Sequence, residues 1–195
     1  FGTPEYMRTA MAGGQLARRY NVPYRSSNVC ASNALDAQAA YESVFSLWGA
    51  IQGGVNVLMH GAGWMEGGLH ASLEKFVLDA DLLAMVAAYL EPIVVDEATL
   101  AHEAIGQVGP GGHYFGVQHT QDRFRDAFYK PILSDWRNYE SWEEAGKPTA
   151  DQKARQLAQA YLDGYEKPAM DAAIVEELDA FRARRLAEGG VATDF

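Results

Sequence analysis

Residues 55–70, VNVLMHGAGWMEGGLH, join the strongest strand signal of the chain to a glycine-rich loop. Four of the five residues from Val55 to Met59 are apolar, which is typical of a short strand covered on both faces. Side chains that follow parallel strands converge at one end of the sheet, where barrel enzymes hold their catalytic groups. We therefore expect His60 and the loop over 60–69 to form part of a functional site.

Helical patterns flank this strand. The Thr-Pro-Glu run at 3–5 predicts a capped helix over 4–20. Apolar residues at helical spacing predict a second helix over 36–52, and a short strand is predicted over 22–26, before a polar loop. Alternation of strand and helix implies parallel pairing through a crossover helix. The predicted fold class is therefore α/β.

The rest of the chain is predicted to be mainly helical. Helical patterns cover residues 73–89, 96–105, 118–129, 150–165 and 171–186. Glu74 and Lys75 are expected to lie on a solvated helix face. Only two or three strands can be counted, whereas a closed barrel needs eight. Further strands would have to lie upstream of Phe1, so we expect this chain to be part of a longer protein.

The distribution of charge points to a cationic ligand. The 195 residues carry 16 basic and 26 acidic groups, a net charge of −10, which argues against a nucleic-acid or anionic-membrane binder. Between Arg25 and Arg123 the one basic residue is Lys75, although all five histidines and two glycine-rich loops lie there. Such a pocket repels anions and attracts cations.

The single cysteine, Cys30, rules out an internal disulfide and fits a reducing compartment, so a cytoplasmic location is expected. No apolar run is long enough to span a membrane. No histidine partner for Cys30 can be recognised from spacing, and no nucleophilic role is predicted for it.

Three residues of the 60–69 loop are candidates for contact with a cation. His60 directly follows the strand, Glu66 could offset the charge of a bound ammonium, and Trp64 could form one wall of an aromatic cage. Each also has a simpler explanation. His60 can hold the glycine turn in place, Glu66 can accept backbone amides, and Trp64 can belong to the packing.

Residues near the first strand are further candidates for substrate binding. Arg25 is the one cation close to the expected pocket, where it either binds a substrate carboxylate or pairs with a helix-borne acid. Asn28 and Ser27 either hydrogen-bond a substrate or cap the following helix.

His60, Glu66 and His70 are residue types that could form a zinc site, because imidazoles and carboxylates bind zinc. Their spacings of six and four residues do not match the compact HExxH pattern. No metal site is predicted.

Four long segments are distinctive: RSSNVCASNALDAQAAYES at 25–43, HGAGWMEGGLHASLEKFVLDADLL at 60–83, GPGGHYFGVQHT at 109–120 and FYKPILSDWRNYESWEEAGK at 128–147. Together they resemble the trimethylamine methyltransferase family, including its members without pyrrolysine that act on glycine betaine. The resemblance implies the C-terminal part of a (β/α)₈ TIM-type barrel followed by terminal helices. Residues 1–130 would belong to the barrel, and residues 131–195 would be a helical extension packed on it.

The resemblance also implies an activity: transfer of a methyl group from an amine to the cobalt of a cobalamin-type corrinoid, which a separate partner protein carries. No tightly bound cofactor is then expected on this chain. The glycine-rich turn at 109–116 would receive the corrinoid, with His113, Tyr114 and His119 as its contacts. The alternative from the residues alone is that the same turn is a sharp chain reversal pinned by two imidazoles.

No pyrrolysine is present in this sequence, which within the family resembles the enzymes that take quaternary amines such as glycine betaine. A quaternary nitrogen leaves as a neutral amine, so the protein has mainly to desolvate the cation, aim one methyl group and exclude water. The alternative function is a metal-dependent hydrolase or a non-catalytic barrel module.

An aromatic cluster, Trp136, Tyr139 and Trp142, lies in the predicted C-terminal extension. It either packs the terminal helices onto the barrel or meets another subunit in a homo-oligomer.

Overall fold

The computed structural model describes residues 1–189, so the last six residues of the predicted extension lie outside it. The helices are α1 (Pro4–Tyr20), α2 (Ala37–Gln52), α3 (Leu73–Leu90), α4 (Glu97–Leu100), α5 (His102–Val108), α6 (Gln118–Arg123), α7 (Tyr139–Glu144), α8 (Ala150–Asp163) and α9 (Ala172–Ala187). The strands are β1 (Arg25–Ser27), β2 (Val57–Met59), β3 (Trp64–Met65) and β4 (His70–Ala71), with a 3₁₀ turn at Glu66–Gly68.

Strands β1 and β2 pair in parallel, with α2 as the crossover between them. The predicted α/β class and the parallel pairing are confirmed. Within residues 1–189 the sheets are this parallel pair and the antiparallel pair β3–β4, so these residues contain no closed barrel. The expectation that β2 is covered on both faces is wrong, because Val57 is 52% exposed and Met59 42% exposed. A paired strand covers an edge of β2, whereas its faces need packed helices or a second sheet, and the described residues leave Val57 and Met59 exposed.

Helix α1 has the predicted bounds. Thr3 caps it by accepting a hydrogen bond from the Tyr6 amide, Pro4 occupies the first turn, and Asn21 ends it in a left-handed conformation. Gly14 is needed where α1 meets the end of α2, because a Cβ at that position would lie 1.8 Å from the Gly53 carbonyl oxygen. The glycine that weakens the helix locally therefore permits close helix packing.

Helix α3 carries charged side chains into the interior. Lys75 is fully buried and bonds to Asp79 at 2.5 Å and to Ser43 of α2 at 2.8 Å. The expectation that Lys75 is solvated is therefore wrong. Its ammonium is satisfied by a carboxylate one helical turn away and by a hydroxyl from another helix, which offsets the cost of burying the charge.

The segment after α3 is less regular than predicted. The helix expected over 96–105 is divided into α4 and α5 by Ala101, which adopts a left-handed φ of 55°. The helix expected over 118–129 ends at Arg123. Ala104 is the one buried residue among those of α4, α5 and α6. Little tertiary packing is therefore available here to stabilise longer helices.

The chain divides into two compact units, Phe1–Ala160 and the part from Tyr161 onward. In the first unit α8 packs on α3 through a core of Val77, Leu133, Ala154 and Ala158. In the second unit Asp171 caps α9 by accepting a hydrogen bond from the Ala173 amide. Among residues 1–189 no helix has both the length and the apolar character needed to cross a membrane.

The aromatic cluster divides between packing and surface. Trp142 donates its indole N–H to the Pro148 carbonyl oxygen at 3.0 Å. Trp136 and Tyr139 are largely exposed. Neither of the two predicted roles of the cluster is tested by these contacts.

Candidate functional site

A cavity of about 620 Å³ opens at the end of β1, next to the loop that follows β2. Arg25, His60 and Trp64, three of the residues singled out from the sequence, line it together. Tyr6 of α1 and Tyr24 add aromatic walls. The parallel pairing of β1 and β2 contributes to this convergence, because it places Ser27, the last residue of β1, beside the start of the loop that follows β2. Arg25 reaches the cavity from the first position of β1.

His60 is held in a defined orientation. Its backbone has a left-handed φ of 51°, and its Nδ1 lies 3.2 Å from the Ser27 hydroxyl oxygen. Its ring meets Trp64 edge to face, with 5.4 Å between the centroids. Because one ring nitrogen is engaged by Ser27, the hydrogen bond fixes the orientation of the ring and the direction of the other nitrogen, and the hydroxyl can serve either tautomer as donor or acceptor.

Tyr6 supports the residues that hold His60. Its hydroxyl donates to the Ser27 carbonyl oxygen and accepts from the Ser27 amide, both at 3.3 Å, and it lies 3.2 Å from the Ser26 hydroxyl. Sequence reasoning missed Tyr6, because it lies in a helix and no local motif connects it to a strand nineteen or more residues downstream.

Two buried side chains hold the loop after β2 by hydrogen bonds to its backbone. Asn28 donates through Nδ2 to the Gly61 carbonyl oxygen at 2.9 Å, and Asp79 accepts the Gly63 amide at 2.8 Å. Asn28 is fully buried and does not line the cavity, and its Oδ1 has no partner among the described residues. Its predicted contact with substrate stays a prediction, while its observed contact is with the loop.

The loop after β1 is fixed by Glu42 of α2. One carboxylate oxygen of Glu42 accepts the amides of Ala31 at 2.6 Å and Ser32 at 3.0 Å. Nearby, Cys30 is buried and donates its thiol to the Trp64 carbonyl oxygen. Burial raises the pKa of the Cys30 thiol, and a protonated, enclosed thiol is a poor nucleophile.

Glu66 lies in the 3₁₀ turn and not in the wall of the cavity. Its carboxylate is 3.1 Å from Nδ1 of His70, four residues later, and both side chains are about half exposed. The described residues 1–189 contain no group of three or more His, Cys, Asp or Glu side chains arranged to hold a metal ion.

Arg25 is exposed at the cavity and has no ion-pair partner within residues 1–189. The alternative that it pairs with a helix-borne acid is therefore not seen in this part of the chain. An unpaired guanidinium at a cavity presents several N–H donors in a plane, which suits a carboxylate.

His113, Tyr114 and His119 lie on another part of the chain and do not line this cavity, whose walls come from residues 1–68. His113 and Tyr114 are exposed, and the His113 ring lies 5.6 Å from that of Phe115. His119 is linked through Nε2 to the Ala98 carbonyl oxygen at 2.7 Å. A Cβ at Gly109, Gly111 or Gly116 would meet nothing within 4 Å, whereas one at Gly112 would lie 2.7 Å from Cγ1 of Val108, so the turn is open at three of its glycines and closely packed at the fourth.

Comparison with known proteins agrees with the resemblance seen in the sequence. Residues 1–190 match the family described as Trimethylamine methyltransferase (MTTB). A glycine betaine methyltransferase of Desulfitobacterium hafniense is 38% identical over 190 residues, which cover 97% of this chain and 40% of that protein. Two trimethylamine methyltransferases, MttB2 of Methanosarcina mazei and MttB of Methanosarcina thermophila, are each 29% identical to this chain over 92% of its length. The aligned residues cover 36% of the first protein and 37% of the second. The chain thus spans about 40% or less of the length of these relatives.

Proposed function

The chain belongs to the trimethylamine methyltransferase (MTTB) family, and we propose that the protein containing it moves a methyl group from a quaternary amine such as glycine betaine to a corrinoid protein. Two observations on the chain as a whole support this substrate class. The similarity to the glycine betaine methyltransferase, 38%, exceeds the 29% found for the two Methanosarcina trimethylamine methyltransferases. The sequence also contains no pyrrolysine.

The observation that carries the proposal is the cavity shared by Arg25, His60 and Trp64. A betaine has a methylated cation at one end and a carboxylate at the other. Arg25 would bind the carboxylate, and the rings of Trp64 and Tyr24 would face the cation. The fully paired Lys75 adds no free positive charge nearby, because Asp79 neutralises it.

Methyl transfer from a quaternary amine requires that the protein orient the substrate and exclude water, and it needs no proton transfer. The corrinoid of the partner supplies a nucleophilic metal that accepts the methyl group. The C–N bond breaks with its electron pair remaining on nitrogen, so the amine leaves neutral. We assign His60, fixed by Ser27, to contact with the substrate at the reacting end. Glu66 lies outside the cavity wall and against His70, so the role we propose for it is a longer-range electrostatic one, without contact with the cation.

The open turn at 109–116, with His113, Tyr114 and His119, is the proposed contact with the corrinoid or with the protein that carries it. We further propose that β1 and β2 are two strands of a (β/α)₈ barrel, that residues 1–130 belong to it, and that residues 131–195 are its helical extension. The parallel β1–α2–β2 unit and the packing of Leu133 and α8 on α3 support this arrangement.

The test is methyl transfer from glycine betaine to cob(I)alamin in the full-length protein, followed by visible absorbance. Arg25→Met is expected to raise KM for glycine betaine about tenfold or more, the effect of losing a charge-assisted hydrogen-bonded pair. It should leave KM for tetramethylammonium, which has no carboxylate, nearly unchanged. Arg19→Met, an exposed arginine of α1 outside the cavity, is the matched control.

His60→Ala is expected to lower kcat with little loss of folding, whereas Ser27→Ala should have a smaller effect in the same direction. Absence of methyl transfer from every member of a broad amine panel, together with stoichiometric bound zinc, would contradict the proposal and favour a metal-dependent hydrolase. Unchanged kinetics in His60→Ala would remove that residue from the site.

A further inference from the structure

A second cavity, of about 640 Å³, is lined by residues 124–137 and Lys153. Its wall includes four cationic side chains, Arg125, Lys130, Arg137 and Lys153, and a single carboxylate, Asp135. The excess of positive charge contrasts with the net charge of −10 of the chain. It also contrasts with the first cavity, whose one basic residue is Arg25.

Asp135 organises two of these cations. Its carboxylate accepts from Nε and Nη2 of Arg137 at 2.8 and 2.5 Å and from Nζ of Lys153 at 2.8 Å. These bonds, that from Arg137 first, hold the pKa of Asp135 well below its usual range, so the group stays ionised and keeps both cations in place. Lys153 also donates to the Leu133 carbonyl oxygen at 3.0 Å.

Arg125 is the cation available to a ligand. Within residues 1–189 it has no ion-pair partner, and its guanidinium carbon lies 5.3 Å from the centre of the Phe124 ring. The ring restricts the guanidinium without using its N–H donors, so they remain free for an acceptor.

Three exposed aromatic rings line the same cavity: Phe124, Phe128, which is 75% exposed, and Trp136, which is 63% exposed. Clustered rings in contact with water are a feature of binding surfaces. Their faces offer stacking platforms for a planar ligand.

The wall of this cavity is held in place by hydrogen bonds within the chain. Buried Asp81 of α3 accepts the amides of Ile132 at 2.7 Å and Leu133 at 3.0 Å, and the hydroxyl of Tyr129 at 3.1 Å. These contacts fix the chain between the aromatic residues and Asp135. A preformed wall lowers the entropic cost of binding.

We propose that this cavity binds an organic anion that combines a planar ring with a phosphate, the chemistry of a nucleoside monophosphate. Lys130 pairs with Asp126 beside the cavity, so four cations and two carboxylates leave a surplus of two positive charges, which matches a phosphate dianion. The exposed rings favour a ligand with a flat face. The site is separate from the proposed amine cavity, because the two share no lining residue.

The test is calorimetric titration of the full-length protein with AMP, adenosine and inorganic phosphate. AMP should bind at least tenfold more tightly than either adenosine or phosphate alone, and more weakly as salt concentration rises. Arg125→Ala should weaken AMP binding about tenfold. Arg182→Ala, an exposed arginine of α9 that pairs with Asp179, removes the same charge outside the cavity and should change the affinity less than twofold.

The tryptophan fluorescence change on AMP addition should disappear in Trp136→Phe, because phenylalanine keeps a stacking face but removes the indole. Failure to bind AMP at millimolar concentration would overturn the proposal, as would equal affinity for AMP and phosphate. Loss of binding in Arg182→Ala equal to that in Arg125→Ala would indicate a nonspecific charge effect and would also overturn it. These outcomes do not depend on methyl transfer, so the two proposals fail separately.

Discussion

Residues 25–81 and residues 91–128 are organised by different means. In the first region the loops after β1 and β2 are held by buried carboxylates on neighbouring helices, Glu42 and Asp79. In the second region the helices are short and large apolar side chains face outward, with Ile93 91% exposed and Phe115 78% exposed.

The contrast teaches that hydrogen bonding to charge, more than apolar burial, gives the candidate site its shape. A carboxylate that accepts two backbone amides fixes a loop in one conformation, since leaving those amides unpaired is costly. The region over 91–128 lacks such anchors from α2 and α3 among the described contacts, and its one buried helical residue is Ala104.

The largest expected effect is that of Asp79→Ala. It leaves Lys75 buried without its carboxylate and removes the acceptor of the Gly63 amide. The free energy of unfolding should fall by about 3–5 kcal/mol, the usual result of breaking a buried ion pair from one side, as measured by urea denaturation.

The matched control is Asp126→Ala, which breaks the exposed pair with Lys130 and should cost at most about 1 kcal/mol. Replacing both buried partners, as Lys75→Met with Asp79→Leu, should recover part of the loss. Equal effects of Asp79→Ala and Asp126→Ala would show that the buried pair does not anchor the first region.

A smaller effect is expected from Asp81→Asn. Its two carboxylate oxygens receive bonds from Tyr129 and from the amides of 132–134, and the amide of asparagine can replace only one of those oxygens. The free energy of unfolding should fall by about 2–3 kcal/mol, and hydrogen exchange at the Leu133 amide should accelerate.

Asp96→Asn provides the comparison within 91–128. Asp96 caps α4 from the surface by accepting the Thr99 amide at 2.8 Å. Asparagine is an equally good cap, so the free energy of unfolding should change by less than about 0.5 kcal/mol. A loss as large as that of Asp81→Asn would contradict the distinction between the two regions.

The sequence predicts best what neighbouring residues decide. Helix α1 was predicted with its bounds because its cap, its proline and its end are all local. The positions of His60 and Trp64 after a strand indicate that they belong to the site, whereas Arg25 is the first residue of β1 and reaches the same cavity from within that strand. Burial of Lys75 was not, because its hydroxyl partner Ser43 comes from another helix and the pattern around Glu74 and Lys75 is that of a polar face.

The same reasoning explains the differences at the site. Glu66 was expected at the cation, yet the 3₁₀ turn brings it to His70, four residues later. Tyr6 contributes from α1 through contacts across twenty residues of sequence, which no local pattern reveals. In 91–128 the apolar periodicity predicted longer helices, but periodicity produces a stable helix only when its apolar face is buried.

A third prediction concerns glycine. Gly14→Ala should lower the free energy of unfolding by about 1–3 kcal/mol, because a Cβ there collides with the Gly53 carbonyl oxygen. Gly106→Ala in α5 should instead raise it by about 0.5–1 kcal/mol, since no atom lies within 4 Å of the added Cβ. Destabilisation by both substitutions would show that the second region is packed more tightly than its exposed side chains indicate.

The smallest effect is expected for Ile93→Ser. The side chain of Ile93 is almost fully exposed, so replacing it with serine removes no core contact. The free energy of unfolding should change by less than about 0.5 kcal/mol. Val77→Ala is the control, because Val77 is 6% exposed in the core between α3 and α8 and its truncation should cost about 2 kcal/mol.

Urea denaturation of both variants in the full-length protein separates two cases. If Ile93→Ser lowers the free energy of unfolding as much as Val77→Ala does, residues 91–95 are covered by another part of the complete protein. The exposure that distinguishes this segment would then be a property of the isolated chain and not of the complete protein. If Ile93→Ser costs nothing, residues 91–95 are an exposed surface in the complete protein as well, and the contrast between the two regions extends to that segment of the complete protein.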